Sequence, residues 1–113
     1  MKYHQRDIVE LSFLFPDGTF KPHPAIIVSN DQLQVDEEGM FYLVLITSND
    51  KLNPQYSYPL SDGMVNGFSF SKPSVVKCHI IVGNIERDVT RRLGSIKKKY
   101  FDEIVDKIIE SIF

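Results

Sequence analysis

Cysteine is nearly absent. The 113 residues hold one, Cys78, so no disulfide can form within the chain. A fold without cross-links suits a reducing compartment, and the cytoplasm is the expected location. Long apolar runs are missing too: none approaches the ~20 residues of a membrane-spanning helix, so no membrane partner is expected. The first residues, Met1-Lys2-Tyr3-His4-Gln5-Arg6, lack the apolar core of a secretory signal. Neither charge sign is in large excess. A formal net charge of −2 gives no global attraction to nucleic acid, so any basic surface has to be local. Histidine is scarce, and His4, His23 and His79 stand far apart without the paired spacing of metal ligands. No metal site is expected. Glycine-rich phosphate loops, a serine-hydrolase elbow, internal repeats and low-complexity tracts are all missing, and no cofactor is implied.

What is present reads as one domain spanning residues 1–113. Hydrophobic content of 42% and charged content of 25% are ordinary for a globular protein of this size. The stretch from Arg6 to Asp31 organises the rest. Val9, Leu11, Phe13 and Phe15 alternate with Glu10, Ser12 and Leu14, the period of a strand with one buried face. Pro16-Asp17-Gly18 then supplies a turn. Ala25 to Val28 has no polar alternation and reads as a strand buried on both sides. Between them, Lys21-Pro22-His23-Pro24 holds its backbone extended and sets an imidazole between two prolines.

Farther along, Asn30 to Gly39 is polar and reads as a connecting loop. Met40 to Thr47 is the most strand-prone run and reads as a central strand. Ser48 to Tyr56 is a polar loop, and Ser57 to Leu60 an edge strand marked by Pro59. Turns at Ser61-Asp62-Gly63 and Asn66-Gly67 flank a bent hairpin or a lid. On the strand that follows, Val76, Cys78, Ile80 and Val82 share one face, and Val75, Lys77, His79 and Ile81 the other. Val89 to Ile96 is short and basic. The chain closes on an amphipathic helix striped by Tyr100, Phe101, Ile104, Val105, Ile108, Ile109 and Ile112, with a Glu103–Lys107 pair on its wet side and Gly94 or Ser95 as its cap. The pattern gives a mostly β, α+β domain or a small barrel.

Four motifs in order sharpen this. Asp7-Ile8-Val9, Phe13, Gly18 and Pro24-Ala25-Ile26-Ile27-Val28-Ser29 open the chain. Leu45-Ile46-Thr47-Ser48, Ser74-Val75-Val76-Lys77-Cys78 and Arg92-Leu93-Gly94-Ser95-Ile96 follow. Together they resemble the MazF/PemK family of toxins from type II toxin–antitoxin pairs. Those chains open with Gly-Asp and two apolar residues, a strand ending in Phe, a Gly-containing loop, then Arg-Pro-Ala and an apolar strand. The resemblance covers nearly the whole chain. It implies a small, strongly curved SH3-like β-barrel of the MazF/PemK/CcdB type with a C-terminal helix. It also implies metal-independent cleavage of single-stranded RNA, a homodimer, and an antitoxin protein whose disordered tail lies across the RNA groove. One departure stands out: His23 occupies the position of the family's active-site arginine.

Candidate chemistry follows from these residues. Alone, His23 reads either as a solvated loop histidine or as a general acid–base group, since an imidazole exchanges a proton near neutrality. It keeps hydrogen bonding where arginine stood but loses the permanent charge and the bidentate fork. Thr47 matches the family's phosphate-binding threonine, with Ser48 beside it; alone, both read as hydroxyls capping a strand end. Fixed donors of this kind stabilise the extra charge of a phosphorane-like transition state. His23 and Thr47 are the expected catalytic pair, facing each other across one groove. Lys21, Ser48, Lys77 and His79 are the expected RNA-binding residues, although Lys77 and His79 read equally as a solvent face. Cys78 reads as a buried, inert thiol. The run Arg87, Arg91, Arg92, Lys97, Lys98 and Lys99 opposes a helix dipole at its end, which invites an anionic partner. The alternative to an endoribonuclease is a binding module of the same fold. In it the histidine marks lost catalysis, and RNA, antitoxin or another protein is merely bound.

Overall fold

The computed structural model describes residues 2–14, 16–48 and 54–113; Phe15 and most of the expected polar loop, 49–53, lie outside the described residues. The opening hairpin forms as its pattern dictates. Strand β1 (Asp7–Leu14) pairs antiparallel with β2 (Phe20–Ile27), from Ile8 opposite Ile26 to Leu14 opposite Phe20. In the connecting turn, Asp17 Oδ1 accepts hydrogen bonds from the Thr19 N–H and hydroxyl at 3.0 and 2.6 Å. Gly18 takes a φ of +86°, which a side chain would resist.

Five more strands complete the sheet: β3 (Met40–Thr47), β4 (Ser57–Leu60), β5 (Val65–Asn66), β6 (Ser74–Ile85) and β7 (Val89–Ile96). Their antiparallel order is β4-β6-β3-β2-β1-β7-β5. This order forces curvature. Laid flat, β6 and β7 would stand four strand spacings apart, roughly 19 Å. Yet only the short turn Glu86–Asp88 joins them, a reach of at most ~14 Å. The sheet must curl until they meet, which yields the strongly curved half-barrel.

The curl sorts the apolar residues into two cores. Val9, Leu11, Ala25, Ile27, Phe41 and Leu43 are fully buried together with Tyr3, and no helix residue joins them. The sheet buries this set by wrapping around it. The alternate residues Ile8, Ile26, Val44 and Ile46 point to the other face. There they meet Leu60, Val65, Val76, Cys78, Ile96 and the helix α2 (Lys98–Ile112) through its Phe101, Ile104 and Ile108. Central strands are thus covered on both faces, which explains why β3 reads as an unbroken apolar run.

Three expectations need correction. Asn30 to Gly39 is not a loop: α1 (Asp31–Asp36) forms there, with the Asn30 side chain accepting from the Leu33 N–H at 2.8 Å and Gly39 leaving it at a φ of +93°. The cap of α2 is neither Gly94 nor Ser95. Those belong to β7, and Lys97 caps the helix without a side-chain hydrogen bond. The face shared along β6 is also broken. Val76 and Cys78 are buried, but Ile80 is 39% exposed. Between the pairs Ile46–Val76 and Val44–Ile81, β6 places four residues against one of β3, and this bulge resets the alternation. On α2, Glu103 accepts a 2.6 Å hydrogen bond from the Tyr58 hydroxyl, and Lys107 lies 3.7 Å from Glu110.

Candidate active site

Antiparallel pairing of β2 with β3 sets Ala25 opposite Leu45, Ile26 opposite Val44 and Ile27 opposite Leu43. The ladder stops there, and its register continued by two residues would set His23 opposite Thr47. Both line one cavity of about 290 Å³, with Ser48 and Pro24 beside them. The far wall is the irregular segment before β6: Phe68, Ser69, Phe70, Ser71 and Lys72, then Ser74.

His23 is held from two directions. Its ring meets Phe13 edge to face, with centroids 6.2 Å apart and planes at 86°. Its Nδ1 lies 3.2 Å from the carbonyl oxygen of Pro24. A carbonyl only accepts, so this contact suits the tautomer in which Nδ1 donates and the neutral ring's lone pair sits on Nε2. Thr47 ends β3 half-buried, opposite Val75 of β6.

The other expected RNA-binding residues lie apart. Lys21, opposite Phe13 on β2, has its ammonium 3.9 Å from the Asp17 carboxylate and does not line the cavity. Lys77 and His79 are half-buried farther along β6, Lys77 opposite Ser57 and His79 stacked on Tyr56 at 4.7 Å. Neither lines the cavity, although β6 begins there at Ser74. The His79 Nδ1 and the Ser57 hydroxyl are both buried and, among the described residues, without a hydrogen-bond partner. Cys78 is buried in the helix-side core, and desolvation pushes its thiol up to about 11, the opposite of an activated nucleophile. No group of three or more His, Cys, Asp or Glu among the described residues is placed to hold a metal ion.

The segment Phe68–Ser74 is the part that sequence reasoning missed. It has no hydrophobic period, and its place at the cavity is set by tertiary ties. The Phe70 N–H donates to Asp62 Oδ1 at 2.8 Å, and the Ser74 hydroxyl to the Lys72 carbonyl at 3.0 Å. Phe68 and Phe70 meet edge to face at 5.0 Å and pack on the helix-side core. The alternation Phe-Ser-Phe-Ser was the available signal: two aromatic anchors separated by hydroxyls that the anchors leave outside.

The basic run from Arg87 to Lys99 contributes no residue to this cavity. Its side chains have local partners. Arg92 Nε lies 3.0 Å from the buried carboxylate of Asp7, and Arg91 Nε 3.3 Å from Glu10. Lys97 donates to the Gly63 carbonyl at 2.8 Å, Lys98 reaches Asp102 at 3.0 Å, and Lys99 lies over the ring of Tyr100.

Solved structures share this fold. The crystal structure of a MazE–MazF complex from Deinococcus radiodurans matches with a TM-score of 0.74 at 18% identity, covering 100% of both chains. The Mycobacterium tuberculosis toxin MazF-mt6 matches at 0.65 and 18% identity, over 95% of this chain and 92% of that one. An endoribonuclease in complex with its cognate antitoxin from a mycobacterial species matches at 0.70 and 12% identity, over 96% and 91%. At such identities the likeness concerns the fold. A search of curated proteins gives no significant match. The sequence model of PemK-like, MazF-like toxins, by contrast, matches residues 4–112. The chain therefore belongs to the PemK-like, MazF-like toxins of type II toxin–antitoxin systems.

Proposed function

We propose that this toxin is a metal-independent endoribonuclease that cleaves single-stranded RNA in the His23–Thr47 cavity. The observation that carries the reading is the convergence of His23 and Thr47, one before the buried half of β2 and the other at the end of β3, on one cavity. With Nδ1 donating to Pro24, Nε2 of His23 accepts the proton of a ribose 2′-hydroxyl. That oxygen attacks phosphorus and the P–O5′ bond breaks. A 2′,3′-cyclic phosphate forms, and the 5′ oxygen leaves with a proton from water. The hydroxyls of Thr47 and Ser48 donate to the phosphate oxygens as charge builds on them. His79 stacked on Tyr56, with Lys77 beside it, offers a platform where the strand continues along β6.

The partner that restrains this activity is an antitoxin protein; a mycobacterial endoribonuclease of the same fold is solved in complex with its cognate antitoxin. The active form is a homodimer. Strand β3 is largely buried within one copy. Tyr42 and Ile81, which with Val28 and Ser29 line an apolar cavity of about 310 Å³, keep 39% and 42% exposure. Sedimentation at micromolar concentration reads this directly, and a monomer would overturn it.

The test of catalysis is a purified protein acting on single-stranded RNA with a chelator present. His23→Ala is expected to lose about 10²–10⁴-fold in rate while remaining folded. His23→Arg asks whether a permanent charge improves or abolishes cleavage. Unchanged cleavage by His23→Ala removes the catalytic assignment. RNA or antitoxin binding without any cleavage by the parent leaves the binding module in its place.

A further inference from the structure

We propose that Lys72 is the cation that neutralises the scissile phosphate, and that Phe68–Ser74 is the phosphate-binding rim of the cavity; the proposal rests on the endoribonuclease reading above. A phosphodiester brings a full negative charge, and the charge grows as the 2′ oxygen attacks. The proton-accepting form of His23 is neutral and cannot balance it. The remaining polar side chains around it, Thr47, Ser48, Ser69, Ser71 and Ser74, are neutral hydroxyls. Among the described residues lining the cavity, Lys72 alone carries a permanent charge.

Two features suit Lys72 to this role. The first is its surroundings. Arg91, Arg92 and Lys98 are paired with carboxylates, and Lys21 lies near one. The Lys72 ammonium makes no ion pair among the described residues, although Lys72 also lines a second cavity together with Asp62. Asp62 instead holds the Phe70 N–H. The second is its root. The Lys72 carbonyl is fixed by the Ser74 hydroxyl, Pro73 restricts the backbone conformation of the residue before it, and the two phenylalanines anchor the preceding turn in the core. A mobile ammonium on a fixed root can follow the phosphate from ground state to transition state without rearranging the wall.

The experiment pairs binding with cleavage. A random-sequence 2′-O-methyl oligonucleotide pool, which lacks the attacking hydroxyl, is titrated by fluorescence anisotropy across a salt series. Cleavage of an unmodified transcript is measured in parallel for the parent, Lys72→Met, Lys72→Arg and Lys98→Met. The expected result is a salt slope shallower by about 0.7 for Lys72→Met, the loss of one phosphate contact on a single strand. Its kcat/KM is expected to fall about 10-fold or more, the usual scale of a charge-assisted hydrogen bond. Lys72→Arg keeps the parent slope, and Lys98→Met matches the parent in both measurements. Parent-like slope and rate in Lys72→Met overturn the proposal while leaving the nuclease reading intact. A parent that binds the pool and cuts nothing overturns the nuclease reading, and the role of Lys72 in cleavage falls with it. A shallower slope for Lys72→Met in that case still supports the phosphate contact.

Discussion

Between Arg87 and Lys99 the chain carries six basic side chains, and between Phe68 and Ser74 it carries one. Counting charge would place an anion at the first region. Most of its cations, however, are bound to the fold itself. Arg92 neutralises the buried Asp7, Arg91 holds Glu10 across the β1–β7 ladder, and Lys97 satisfies the Gly63 carbonyl beside the edge strand β5. The second region has a single lysine without an ion pair among the described residues, set in the wall of a cavity lined by hydroxyls. The capacity to hold an anion follows from which charges lack internal partners, and sequence composition does not report that.

Gly94 is the position on which the second region depends most. A Cβ there would collide with the Asn66 carbonyl oxygen and crowd Phe68, the first anchor of the rim. The obstacle is backbone, so the rim has to move. Gly94→Ala is expected to cost about 3 kcal/mol, the upper range for overpacking. It should also depress RNA cleavage beyond what lost folding explains, measured as rate per folded molecule. Arg92→Ala should separate the two regions more cleanly. It leaves the Asp7 carboxylate with the His4 N–H as its remaining contact, and the expected cost is ~2 kcal/mol. The midpoint in urea should fall while the salt slope of RNA binding stays that of the parent. A lowered slope would mean that Arg92 reaches RNA after all. Lys98→Ala is the mildest. Its exposed i,i+4 pair with Asp102 is worth about 0.3–0.5 kcal/mol, so a small stability change with unaltered binding is expected from denaturation and anisotropy.

Much of the architecture was legible because its signals are local. The alternation in β1, the unbroken apolar run of β3 and the stripe of α2 each declare their element, and the four motifs ordered them into the family's barrel. Helix α1 escaped because only Leu33 and Val35 interrupt its polar sequence, too few to show a period. Its ends were written more plainly than its middle, in Asn30 and Gly39. The bulge in β6 escaped because it is a property of the pairing with β3, not of either strand. In the cavity, the extended Lys-Pro-His-Pro stretch and the Thr-ending strand made His23 and Thr47 conspicuous. Lys77 and His79, expected as RNA-binding residues on one face of their strand, lie farther along β6 and do not line the cavity. The rim stayed invisible because its position depends on a tie to Asp62 outside any regular element and on contacts with Gly94 and the helix-side core, which are distant in sequence.

The pairing of β1 with β7 has a consequence for how the chain is made. Asp7 lies opposite Ser95, so β1 waits for β7, far later in the chain, before its second edge is covered. Residues 7 to 74 already contain both walls of the cavity. Until β7 emerges from the ribosome, though, β1 presents an unpaired edge and the inner core stays open on one side. Contacts this far apart in sequence make folding slow, on the ~millisecond-to-second scale of small β-rich domains. A nascent chain in that state is exposed to strand-to-strand association with its neighbours. The toxin therefore assembles its barrel only once β7 is available, and a chain interrupted before residue 89 would be an aggregation hazard instead of a folded toxin.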